Sequence, residues 1–189
     1  MDCLAELGWG RATLARIAER AEVSRALISY HFDDRADLID AVFEAVVEVV
    51  FVTGAERVSD AVRRETDARA MLRAYILENV RFVAEHRREM VALDQIMPNL
   101  RRGDESLRFA EPEESPILAE LAGIFELGVE GGEFSADPRS AAYFVRRGID
   151  GAAQQLIRDA SFDVEQYGQQ LVHLVLHGTV TPPTEGAAS

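Results

Sequence analysis

Apolar residues recur along most of this chain at three- and four-residue intervals, and the two-residue alternation of half-buried strands is scarce. The run from Val46 to Val52 is rich in β-branched residues, but it continues a helical rhythm that begins at Leu38, so it reads as helix. Turn residues interrupt the pattern at Gly8-Trp9-Gly10, Asp33-Asp34, Pro98-Asn99, Arg102-Gly103-Asp104, Pro112 to Pro116, Gly131-Gly132 and Asp137-Pro138. Between the breaks the sequence predicts an all-α chain of about nine helices. These are Asp2–Leu7, Leu14–Ala21, Arg25–Phe32, Arg35 to about Thr53, Ala68–His86, Arg88–Met97, Pro116–Glu130, Arg139–Ala160 and Val164–His177. Short helices followed by long ones predict an N-terminal three-helix head (1–46), a larger C-terminal helical bundle (47–178) and a flexible tail (179–189).

The informative stretch is TLARIAERAEVSRALISYHFDDR, from Thr13 to Arg35. Thr13 is placed to cap the second helix, whose Leu14, Ile17, Ala18 and Ala21 form an apolar stripe at i, i+3, i+4, i+7. The turn Glu22-Val23-Ser24 follows, and Ser24 caps the third helix. Ile28 and Phe32 anchor that helix, leaving Arg25, Ala26, Leu27, Ser29, Tyr30 and His31 directed outward. Two short helices joined by a tight turn, with the second exposed, make a helix-turn-helix whose second helix is sized for the DNA major groove. Arg25 suits bidentate pairing with guanine, Ala26 permits close approach, and Leu27 suits a thymine methyl. Tyr30 and His31 can donate to phosphates, and Arg35 adds charge toward the DNA backbone. With Thr13 and Ser29 these form the candidate DNA-binding set.

The pattern LGWGRATLARIAERAEVSRALISYHFDDRADLIDAV resembles the head of TetR-family transcriptional regulators. The resemblance rests on Leu7-Gly8, Thr13-Leu14, Ile17-Ala18, Ala21-x-Val23-Ser24, Tyr30-His31-Phe32 and Leu38, and covers about a fifth of the chain. It implies a homodimer that binds a double-stranded DNA operator, represses by default, and is released when a small-molecule effector binds the helical body. Three features depart from the family pattern. Glu22 stands where the family usually has Gly, the first helix is short, and residues 1–46 hold 5 Arg against 9 acids, a net charge of −4.

The whole chain of 189 residues carries a net charge of −13, which excludes a non-specific nucleic-acid coat but not a small DNA-binding patch. No apolar run approaches the roughly 20 residues of a membrane span, and no secretory signal is visible at Met1-Asp2-Cys3, so the expected compartment is the cytoplasm. One cysteine, Cys3, excludes an internal disulfide and a cysteine-built zinc site.

In the body, Ala141, Val145, Gly148 and Ala152 form a small-residue stripe, and Tyr167, Leu171, Leu174 and Val175 share a face of the last helix. The resemblance implies that this helix pair forms a four-helix dimer interface; intramolecular core is the other reading. Met71, Tyr75, Asn79, Phe82, Met90, Leu93, Met97, Phe125 and Phe144 are candidate walls of a pocket for an apolar or aromatic effector. Plain core explains any one of them as well. His173 and His177 have zinc-compatible i, i+4 spacing but lack the metalloprotease glutamate, so no metal or cofactor is expected. The acids Asp104, Glu105, Glu111, Glu113 and Glu114 read as a solvated loop, and no phosphate loop or nucleophile elbow occurs, so the chain is not expected to be an enzyme. Two other functions remain open. One is a small-molecule-binding all-α protein with a degenerate head; the other is a helical enzyme using the same pocket.

Overall fold

In the computed structural model, side-chain oxygens start six of the helices, and each accepts a backbone N–H that the helix itself cannot satisfy. Thr13 and Ser24 do this in the head, and Asp34, Asp67, Asp137 and Asp163 do it further along. The structure describes residues 1–100 and 116–179. In chain order the helices are α1 (Asp2–Leu7), α2 (Leu14–Arg20), α3 (Arg25–His31), α4 (Arg35–Val47), α5 (Gly54–Val62), α6 (Ala68–Glu85), α7 (Arg87–Ile96), α8 (Pro116–Glu130), α9 (Pro138–Arg158) and α10 (Val164–Thr179). Tight helical turns at Trp9–Arg11 and Met97–Asn99 close α1 and α7. The described residues contain no strand, so the chain is all-α as its periodicity requires.

The fourth helix was expected to stop near Thr53, but the backbone passes through a wide π turn at Glu48–Thr53 and runs on as α5. Gly54, where the π turn ends, is itself helical, at φ −63° and ψ −45°. A helical glycine costs about 1 kcal/mol, and burial of Val58 and Val62 offsets that. With α4 and α5 counted together through that π turn, the described residues hold nine helices. The breaks at Arg102-Gly103-Asp104 and from Pro112, the acids Asp104, Glu105, Glu111, Glu113 and Glu114, and the tail beyond Thr179 lie outside the described residues.

The described residues divide into two compact units. The first holds 1–54 and 85–100, around Leu4, Ala18, Ile28, Leu38, Ile39, Phe43 and Val46. Ala92, Leu93 and Ile96 of α7 belong to the same core, so α7 packs with the head although it is distant in sequence. The second holds 55–84 and 116–179, around Leu72, Tyr75, Ile76, Leu121, Phe125, Phe134, Val145, Ile149 and Val172. Its packing is close enough to require glycine. A Cβ on Gly128 would stand 2.1 Å from the Phe134 ring, and one on Gly168 would stand 2.6 Å from Val80.

Candidate nucleic-acid interface

The two caps that open α2 and α3 set the geometry of the head. The Thr13 hydroxyl accepts the Arg16 N–H at 3.4 Å, and the Ser24 hydroxyl accepts the Leu27 N–H at 3.1 Å. Between them α2 ends in a Schellman motif: Glu22 N–H donates to the Glu19 carbonyl at 3.2 Å, and Val23 N–H donates to the Ala18 carbonyl at 3.0 Å. Glu22 fills the left-handed position of that motif at φ 56°, and it alone among the described non-glycine residues has a positive φ. The helix ending thus has glycine-type geometry with a side chain built on it.

The third helix buries Ile28 in the head core, with Phe32 half-buried at its C-cap. Arg25, Ala26, Leu27, Ser29, Tyr30 and His31 are all exposed, with Tyr30 82% exposed and its ring edge-to-face with His31 at 5.1 Å. Such exposure of Leu27 and Tyr30 on one short helix removes no strain and fills no core, which makes it informative. Thr13 is exposed, and its hydroxyl is spent on the cap.

Arg35, expected to add charge toward the DNA backbone, is half-buried and makes contacts within the head. Its Nε donates to the Ala12 carbonyl at 2.8 Å and one terminal nitrogen donates to the Trp9 carbonyl at 2.6 Å. Its guanidinium lies 4.5 Å over the Trp9 ring. Trp9 N–H in turn donates to Gln95 Oε1 of α7 at 3.3 Å. Sequence reasoning missed Trp9 and Gln95, because a contact spanning 86 residues leaves no local periodicity. The flanking acids are partly explained: Asp34 caps α4 by accepting the Asp37 N–H at 3.0 Å, and the Asp37 carboxylate accepts the Asp33 N–H at 3.1 Å.

The nine candidate pocket residues are shared between the two units. Met90, Leu93 and Met97 belong to the first unit, while Met71, Tyr75, Asn79, Phe82, Phe125 and Phe144 belong to the second. Tyr75, Phe82 and Phe125 are buried there. Burial raises the Tyr75 phenol above its ordinary pKa; the nearby Arg146 charge and hydrogen bond oppose the shift, and the Glu120 and Asp150 charges add to it. The phenol therefore stays neutral through the physiological range, and the stability tied to its neutral form is lost only as pH rises past 10 and through the raised value. Asn79 meets its need for a partner locally, donating to the Tyr75 carbonyl at 2.8 Å. Phe144 is 73% exposed.

The candidate dimer residues also separate. Ala141, Val145 and Ala152 are buried in the chain's own core and have no surface to give a partner. Gly148 admits Leu171 of the same chain, whose methyl would stand 2.8 Å from an added Cβ, and its carbonyl accepts the Tyr167 hydroxyl at 3.0 Å. Val175 and Leu171 are half-buried, and Leu174 is 67% exposed. Gly148 faces Leu171 and Gly151 faces Tyr167, so α9 and α10 pack closely along these positions. The exposed large hydrophobic residues of α9 and α10 are Tyr143, Phe144 and Leu174. His173 and His177 stack at 4.0 Å, and no group of three or more potential ligands for a metal occurs among the described residues.

The head is a capped helix-turn-helix whose second helix leaves six of its seven residues exposed. Residues 1–42 match the family model described as bacterial regulatory proteins, tetR family. The fold matches KstR2, a ketosteroid transcriptional regulator of Mycobacterium tuberculosis, at TM-score 0.74 and 18% identity, covering 96% of this chain and 91% of that one. It matches the fatty acid degradation regulator FadR of Bacillus halodurans at TM-score 0.69 and 21% identity, covering 94% and 90%. FadR of Bacillus subtilis, solved with stearoyl-CoA, matches at TM-score 0.63 and 18% identity, covering 94% of each chain. No curated protein is a significant sequence match. The family match covers the first 42 residues, and the chain as a whole is similar in fold to these solved regulators. No helix among the described residues is long and apolar enough to cross a membrane.

Proposed function

We propose that this protein is a homodimeric transcriptional repressor that binds a pseudo-palindromic DNA operator through α3 and leaves it when an apolar small molecule occupies the helical body. The observation that carries the reading is the bare face of α3: six of its seven residues are exposed, and only Ile28 is used by the core. Arg25 and Leu27 read base edges, Tyr30 and His31 hold phosphates, and Ala26 and Ser29 allow the helix to lie close. Residues 1–46 supply this head.

One head reads a few base pairs, so two heads must be paired to meet successive major grooves. The exposed pair Phe144 and Leu174 supports pairing through α9 and α10. The effector is apolar, with Met71, Tyr75 and Phe125 of the second unit's core around it; the similarity to a regulator solved with stearoyl-CoA makes a long-chain acyl thioester the first compound to try. The protein acts in the cytoplasm, where operator and effector meet.

Fluorescence anisotropy with labelled DNA from upstream of the protein's own gene tests the reading, with Arg25→Ala and Tyr30→Ala alongside. Selective binding that both variants lose supports it. Absence of selective binding favours the second reading, a small-molecule-binding protein with a degenerate head. The carboxylate and φ of 56° at Glu22 motivate that alternative.

A further inference from the structure

We propose that Arg35 is a positioning residue and not a phosphate contact: with Trp9 and Gln95 it clamps the loop from which α2 starts, and so sets where α3 is presented. The guanidinium spends two N–H donors on the Ala12 and Trp9 carbonyls, at 2.8 and 2.6 Å, and covers one flat face with the Trp9 ring at 4.5 Å. Ala12 is fully buried, and the next residue, Thr13, caps α2. The loop is also held by α7. Gln95 Oε1 takes the Trp9 N–H at 3.3 Å, and the same oxygen would stand 3.3 Å from a Cβ at Gly8, which turns at φ 75°. Three elements, α4, the Trp9–Arg11 turn and α7, thus meet on one indole and its peptide groups.

Arginine is required by this geometry and lysine does not replace it. A planar fork places donors on two separate nitrogens while its flat face stacks on a ring; an ammonium keeps its donors on one nitrogen and has no flat face to stack. A phosphate contact has the opposite requirement, since charge is what it supplies and lysine retains it. The Arg35→Lys variant therefore separates the two roles.

The DNA arm of the test rests on the proposed DNA-binding function, but the fluorescence arm does not. Trp9 is the chain's single tryptophan, so its emission and its quenching by acrylamide report the clamp without DNA. Full-length Arg35→Lys, Arg35→Met and Gln95→Leu are compared with wild type, with circular dichroism confirming helix content. The expected result is a red shift and greater quenching of Trp9 in both Arg35 variants, and a smaller change in Gln95→Leu. DNA affinity falls by a similar factor, about tenfold, in both Arg35 variants, as the loss of charge-assisted hydrogen bonds implies. The slope of log K against log salt stays that of wild type.

The proposal is overturned if Trp9 is unchanged in Arg35→Lys and Arg35→Met. It is also overturned if Arg35→Lys binds DNA like wild type while Arg35→Met loses about one unit of salt slope per head. If wild type binds no DNA, the proposed function fails, and the quenching result still decides whether the clamp exists.

Discussion

Glu22 is the position where the sequence and the backbone disagree most sharply, and its replacement by glycine gives a signed prediction. At φ 56° a side chain with a Cβ pays roughly 1–2 kcal/mol in the left-handed region. Glycine avoids that but loses about 0.5–1 kcal/mol more backbone entropy on folding. The two hydrogen bonds of the Schellman motif, Glu22 N–H to the Glu19 carbonyl and Val23 N–H to the Ala18 carbonyl, use main-chain atoms and survive the change. Glu22→Gly should therefore stabilise by about 0.5–1 kcal/mol in urea unfolding. Glu22→Ala keeps the Cβ and gains nothing, so glycine should exceed alanine by about 1 kcal/mol. In ordinary backbone the order is reversed, because alanine restricts the unfolded chain. Alanine equal to or more stable than glycine would refute a left-handed Glu22. Glu22→Gln tests charge separately. One carboxylate at about 10 Å from phosphate in water opposes binding by roughly 0.4 kcal/mol, about twofold per head and fourfold per dimer at low salt.

Other substitutions follow from the packing and the caps. Phe144→Glu with Leu174→Glu should convert a dimer to a monomer in analytical ultracentrifugation and leave the urea midpoint of the monomer nearly unchanged, since both side chains are exposed; a persistent dimer would move the interface elsewhere. Gly128→Ala should destabilise by about 1–3 kcal/mol despite its gain in helix propensity, because its Cβ would stand 2.1 Å from the Phe134 ring; a more stable variant would show that Phe134 moves freely. The Asp137 carboxylate, lowered in pKa chiefly by its side-chain hydrogen bond with Ser140, caps α9. Its contribution is present above the ordinary Asp range and lost as pH falls through the lowered value, so the gap between wild type and Asp137→Ala in urea melts should close in acid. A gap independent of pH would separate the cap from the charge.

Local signals made the head readable in the sequence. Thr13, Ser24 and Asp34 cap as their residue types suggest, Ile28 is buried on α3 where its spacing placed it, and α8 spans Pro116–Glu130 as the turn residues implied. What escaped depended on which neighbour a stripe meets. Ala141, Val145 and Ala152 form a stripe compatible with either a partner helix or the chain's own core, and the core took it. Phe144 adjoins Val145 in sequence but lies about 100° round the helix, enough to pass from buried to 73% exposed. The affiliation of α7 with the head, and the meeting of Arg35, Trp9 and Gln95, arise from contacts across tens of residues that no helical period encodes.

The account stands most directly on two copies of α3 lying in successive major grooves. Hydroxyl-radical footprinting of the DNA upstream of the gene, with wild type and Arg25→Ala, tests this in one experiment. The account predicts two dyad-related protected patches on one face of the duplex, centred about one helical turn or a multiple apart, and their loss in Arg25→Ala. A single patch, unpatterned protection, or an unchanged footprint in the variant would contradict it.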